Sequence, residues 1–114
     1  MTQHAALTPE RWSAFDRPRQ LLMIANEMSR ASRLLAPQDL ASLRLCYERV
    51  LRLLDLTVQV NAHPPLRREL LRWRDLVAAL YVRGEVDPAA HREAFRALLQ
   101  LQPDCAAQIP HMLV

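Results

Sequence analysis

Glu27 and Arg30 are the first side chains whose types and spacing suggest specific chemistry. They lie three residues apart, so a helix would place the carboxylate and the guanidinium one turn apart, beside an apolar face. Two interpretations stay open. The pair is either a solvent-exposed ion pair or a partly buried polar node that fixes helix register or accepts a partner.

A basic stretch is the second candidate. It contains Arg67, Arg68, Arg72 and Arg74, with Trp73 among them. Arginine binds phosphate bidentately and tryptophan stacks on bases, so the stretch could form an anion or nucleic-acid surface. At helical spacing, however, the tryptophan points toward the core and the arginines divide between two sides of the helix. A solvated helix face is the favoured interpretation, and nucleic-acid binding is the alternative.

Histidine and cysteine show no spacing that is typical of catalysis or metal binding. The four histidines lie in separate segments, and the two cysteines share no Cys-x-x-Cys or Cys/His pattern. His91, close to Phe95, is interpreted as a surface or interface histidine. We therefore predict no catalytic residue, no cofactor and no metal.

The elements that must position these side chains are helical. The 114 residues are 51% hydrophobic and 24% charged, which suits one packed domain over residues 1–114. A single glycine argues against hairpins and phosphate-binding loops, which need residues that tolerate positive φ. We predict an all-α fold: an antiparallel bundle of four main helices with a short N-terminal helix and a short C-terminal turn. Residues 1–8 and 110–114 are expected to be flexible.

Prolines indicate where the predicted helices begin and end. The lead-in helix covers residues 9–15, and Asp16-Arg17-Pro18 is expected to break it. The main helices cover residues 19–35, 39–61, 66–83 and 88–102, with the last turn at 104–108. Gly84 follows the third main helix, where a left-handed residue is common.

The second main helix is predicted to be the centre of the bundle. A narrow polar strip runs through Arg44 and Asp55, and apolar residues occupy both of its sides. One side carries Leu43 and Leu54, and the other begins at Leu45. Such a wide apolar arc must contact at least two neighbours, so we expect it to be covered everywhere except along the strip.

Three segments carry a resemblance to a known group: residues 20–31 (QLLMIANEMSRA), 53–57 (LLDLT) and 66–72 (LRRELLR). The chain resembles a poorly characterised family of small all-helical bacterial and archaeal proteins. That family has Glu-x-x-Arg-Ala on helix one and Leu-Asp-Leu-Thr at the end of helix two. The resemblance implies an architecture and no activity, and it adds Asp55 to Glu27 and Arg30 as members of the polar node.

The bundle pattern is also similar to HEPN-type bundles, some of which are ribonucleases or partners of nucleotidyltransferases. Those nucleases use an arginine followed four to six residues later by a histidine. Here seven residues separate Arg83 from His91, across the expected helix end at Gly84. The resemblance therefore implies at most a non-catalytic module associated with RNA or a nucleotidyltransferase.

Excess apolar surface is the basis of the functional prediction. Leu71, Ala78 and Val82 form a second apolar line on helix three, and the C-terminal tail is hydrophobic from Ile109 to Val114. Such surface usually becomes an interface, so we expect a non-enzymatic protein that forms a homodimer or docks onto a protein partner. No apolar stretch is long enough to span a membrane and no signal pattern is present, so the expected location is the cytoplasm. A third alternative is an enzyme with a cryptic pocket, which would be supported by a cleft in which Glu27 or Asp55 lies buried beside an arginine.

Overall fold

Five α-helices account for the fold. The computed structural model describes residues 7–101, and within them the helices are α1 (Pro9–Ser13), α2 (Arg17–Ala31), α3 (Leu40–Val60), α4 (Pro64–Val82) and α5 (Pro88–Leu99). A 3₁₀ turn, Pro37–Asp39, leads into α3. The all-α bundle of four main helices with a short N-terminal helix is confirmed. The predicted turn at 104–108 and the hydrophobic tail lie outside the described residues.

Side-chain caps determine where α1, α2 and α5 begin. Thr8 Oγ1 accepts a hydrogen bond from the Arg11 amide, and Asp87 caps α5 through the Ala90 amide. Asp16 does the same for α2, because its carboxylate accepts from the Arg19 amide at 2.9 Å. Pro18, which was expected to help break the lead-in helix, occupies the first turn of α2. That helix consequently begins at Arg17, two residues earlier than predicted.

The two ends of α4 also differ from the prediction. Pro64 and Pro65 belong to its first turn, where a missing amide hydrogen costs nothing, so α4 begins at Pro64 instead of Leu66. The expectation of a left-handed Gly84 was wrong, because Gly84 does not have positive φ. The helix ends instead through Arg83, whose backbone is extended at φ −66° and ψ 145°.

The four long helices form a closed ring. α2 packs against α3, α3 against α4, α4 against α5, and α5 back against α2, while α1 covers part of α3. The short connections make neighbouring helices antiparallel. The ring encloses one core, to which every long helix contributes; its largest fully buried aliphatic residues are Leu21, Ile24, Met28, Leu43, Leu53, Leu54, Leu70, Leu98 and Leu99.

The apolar arc of α3 is narrower than predicted. Leu43 and Leu54 are buried, as the central position of this helix requires. Leu45, on the other apolar side, is 55% exposed, so the expectation of cover on that side was wrong there. α1 is five residues long and reaches α3 near Thr57, so it cannot cover the first half of a 21-residue helix.

Leu54→Ala should lower the free energy of unfolding by about 2–5 kcal/mol, because it leaves a cavity in a closed core. Leu45→Ala is the matched control. It makes the same chemical change on the same helix at an exposed position, so we expect a loss below about 1 kcal/mol. Urea denaturation followed by circular dichroism measures both, and equal losses would contradict the packing described for α3.

Candidate functional site

Glu27 is a buried carboxylate at the contact between α2 and α3. Its side chain is 4% exposed, and its Oε2 accepts a hydrogen bond from Nε of Arg49 at 3.1 Å. Arg30 lies farther out, 56% exposed, with Nη1 at 3.4 Å from Oε1. The shorter of these two contacts is thus made by Arg49 of the neighbouring helix, which lies 22 residues from Glu27 in the sequence.

Cys46 belongs to the same cluster. Nη2 of Arg49 lies 3.2 Å from its Sγ, and the thiol is buried. Burial raises the pKa of Cys46 although the nearby guanidinium of Arg49 acts in the opposite direction. The side chain therefore remains a neutral thiol at physiological pH, which is the unreactive form.

Asp55 lies apart from this cluster. It is exposed and pairs with Arg74 of α4, with 2.7 Å between Oδ1 and Nε and 3.4 Å between Oδ2 and Nη2. Asp55 comes six positions after Arg49, which at about 100° per residue places its side chain about 120° away around α3. The structure brings Glu27 and Arg30 together, and it does not bring Asp55 to them.

The four arginines of the basic stretch point to different partners. Nε of Arg67 donates to the carbonyl oxygens of Val58 and Asn61, and so caps the end of α3. Arg72 pairs with Glu69 of its own helix at 3.4 Å, and Arg74 pairs with Asp55. Arg68 is exposed. The arginines do not converge on one surface, so this geometry favours the solvated helix face over a nucleic-acid interface.

His91 is the buried polar residue that sequence analysis misplaced. It was interpreted as a surface or interface histidine, yet it is fully buried in the core. Its Nε2 lies 2.9 Å from Ser32 Oγ, and its Nδ1 lies 2.8 Å from the Tyr47 hydroxyl oxygen. The signal was present in the sequence, because His91 shares a helical face with Phe95 and Leu98, both of which point inward.

We assign the proton of His91 to Nε2. In this tautomer Ser32 donates its single hydroxyl hydrogen to the Met28 carbonyl at 3.0 Å and accepts a hydrogen bond from Nε2. Nδ1 is therefore the acceptor, and the Tyr47 hydroxyl donates to it. Burial lowers the pKa of His91 to about 4, which keeps the ring neutral.

This direction of the hydrogen bonds at His91 argues against Ser32 as a nucleophile. A catalytic histidine must accept the serine proton at the nitrogen that faces the hydroxyl. In His91 the nitrogen that faces Ser32 already carries a hydrogen, and Tyr47 occupies the other. In this tautomer the arrangement joins α2, α3 and α5 and does not activate Ser32.

The arginine and the histidine of the HEPN-like spacing have different surroundings. Arg83 pairs with Asp87 near the start of α5, whereas His91 faces the core.

A groove between α4 and α5 lies on the surface of the described residues. Two adjoining cavities of about 330 and 320 Å³ lie along it, and both are lined by Leu76 and Ala97. Leu76 is 51% exposed in the middle of the groove. Charged side chains lie toward its ends, Glu69 and Arg72 at one and Arg83 and Glu93 at the other. We call this feature the α4–α5 groove.

Comparison with known proteins identifies no relative: no family model, no curated protein and no solved structure matches the chain. Among residues 7–101, no three His, Cys, Asp or Glu side chains come together in a way that could hold a metal ion. The same part of the chain contains no helix with the length and apolar character needed to cross a lipid bilayer. We therefore base the proposed function on the arrangement of the described residues.

Arg49→Ala should lower the free energy of unfolding by about 2–3 kcal/mol, because it leaves the buried Glu27 carboxylate without its inter-helix partner. Arg30→Ala is the control, since it removes an exposed partner of the same carboxylate. We expect it to cost at most about 1 kcal/mol. Chemical denaturation at pH 7 distinguishes the two, and a larger effect of Arg30→Ala would contradict the assigned roles.

The low pKa of His91 makes stability depend on pH in a definite direction. Between about pH 6.5 and 4 the unfolded chain binds a proton at this histidine and the folded chain does not, so stability falls as pH falls. The full difference amounts to roughly 3 kcal/mol. His91→Gln cannot titrate, so its stability should change less steeply over this range. Denaturation curves at pH 7, 6, 5 and 4 test this, and parallel profiles for both proteins would refute it.

Proposed function

We propose that this protein acts by binding another protein chain and that the α4–α5 groove is its binding surface. The observation that carries the proposal is Leu76, which is half exposed between two cavities instead of packed inside the bundle. A partner that covered this leucine would remove apolar surface from water at about 25 cal/mol per Å².

The layout of the groove supports this role. Protein interfaces commonly have an apolar centre and a polar rim. Here Leu76 and the alanines of α5 occupy the centre, and charged residues of both signs occupy the ends. A helix or a similar ridge could fill a concave surface of this kind, since grooves between helices commonly accept amphipathic helices.

The buried polar groups support a binding role over catalysis. Glu27 is neutralised by Arg49, and His91 is held between Tyr47 and Ser32. The thiol of Cys46 is buried and protonated. Glu27 and His91 serve contacts between helices, Cys46 contacts Arg49 of its own helix, and none of the three lines the α4–α5 groove.

Site-specific photo-cross-linking tests the proposal in the native cell. A benzophenone amino acid replaces Leu76 in one variant and Gln59, an exposed polar residue of α3, in another. We expect a discrete cross-linked protein adduct from position 76 and none from position 59. The absence of an adduct at position 76, or equal adducts at both positions, would refute the α4–α5 groove as a binding surface.

A further inference from the structure

We infer that the occupant of the α4–α5 groove is the same groove of a second copy of this chain, related by a two-fold axis parallel to the groove. The inference rests on the proposed function and names the partner. Such an axis places α4 of one subunit over α5 of the other and repeats every contact twice.

The shape of the groove is complementary to itself. Among the residues of α4 that line the groove, Leu76 is a large apolar side chain that is half exposed, whereas α5 lines it with Ala90, Ala94 and Ala97 at spacings of four and three residues, of which Ala94 is buried. Small side chains at these positions let another helix approach closely. The two-fold axis would set each Leu76 over the alanine row of the partner subunit, so the leucine that its own chain leaves exposed becomes buried.

The same two-fold axis also brings opposite charges of the two subunits together. α4 and α5 run antiparallel, since Arg83 lines the same cavity as Ala90 and Glu69 the same cavity as Gln100. Arg83 and Glu93 therefore lie at one end of the groove on opposite helices. The axis brings each Arg83 toward Glu93 of the partner subunit.

Arg83 has the capacity for this additional contact. Its pair with Asp87 uses Nη1, its side chain remains partly exposed, and a guanidinium carries five donors. At the other end, Glu69 and Arg72 pair with each other, and the axis places them opposite the neutral Gln100 of the partner subunit. Opposite or neutral groups thus meet along the whole groove, which avoids the cost of like charges in contact.

Analytical ultracentrifugation and light scattering of the full chain test the inference. We expect a concentration-dependent species of twice the 13.1 kDa chain mass. Leu76→Glu should raise the dissociation constant at least about 100-fold, as expected for an anchor at the centre of an interface. Leu71→Glu is the matched control, because Leu71 is a 46% exposed leucine of the same helix that does not line the groove. It should leave the dissociation constant unchanged.

Charge exchange tests the orientation of the two subunits. Glu93→Arg should raise the dissociation constant by about tenfold through contact with Arg83 of the partner subunit, and adding Arg83→Glu should restore most of the affinity. Circular dichroism of each variant excludes loss of the fold as the cause. Failure of the double variant to recover, in a folded protein, would overturn the proposed axis.

The outcomes separate this inference from the proposed function. A monomer at every concentration, together with a position-76 adduct to a different protein, overturns the second copy and leaves the proposed function standing. A dimer that responds to Leu71→Glu and not to Leu76→Glu overturns both. A dimer that Leu76→Glu dissociates, with a position-76 adduct of two copies, supports both.

Discussion

Polar groups buried inside the ring need partners there, and α3 supplies the partner for three of them. Tyr47 bonds to His91 of α5, Arg49 pairs with Glu27 of α2, and Thr57 accepts from the indole of Trp12. An unpaired polar group at any of these positions would cost about 1–3 kcal/mol, and an unpaired charge more. A helix that slid along α3 by one turn would break such a contact. Satisfying these groups therefore fixes the register of α1, α2 and α5 on the central helix.

The same constraint determines what the interior can do. A buried carboxylate, histidine and thiol are residue types that enzymes use, yet Glu27 and His91 are already committed to contacts between helices, and Cys46 contacts Arg49 of its own helix. Their environments reinforce that role: burial raises the pKa of both Cys46 and Tyr47 and lowers that of His91, so all three remain neutral. Neutral, hydrogen-bonded groups hold one arrangement of helices well and transfer protons poorly. The proposed binding function accordingly uses the outer surface.

Local sequence patterns explain why the fold could be predicted and the polar contacts could not. The inward positions of Leu54, Trp73 and Phe95 follow from helical periodicity, and Asp87-Pro88 marks the start of α5. Glu27 and Arg49, in contrast, are 22 residues apart, and no local pattern joins them. The burial of His91 depends on acceptors and donors from two other helices. The resemblance had placed Asp55 in one polar node with Glu27, whereas its position on α3 turns its side chain toward Arg74 of α4.

Exposed leucines are common on protein surfaces, so exposure by itself does not make Leu76 part of a binding surface. Leu45 and Leu22 are exposed as well. Leu45 lines a cavity of about 270 Å³ whose other lining residues within 7–101 are Glu48, Arg49 and Arg52, all of them charged. The cavities around Leu76 continue along α5 over a row of alanines, with unlike charges at one end. Alanines at these positions leave space that the chain itself does not fill, and the leucine beside them is a side chain of suitable size to fill it from another copy. Exposure alone marks many residues, whereas the proposed pairing of two copies rests on an exposed leucine, a row of alanines and unlike charges that lie in one groove.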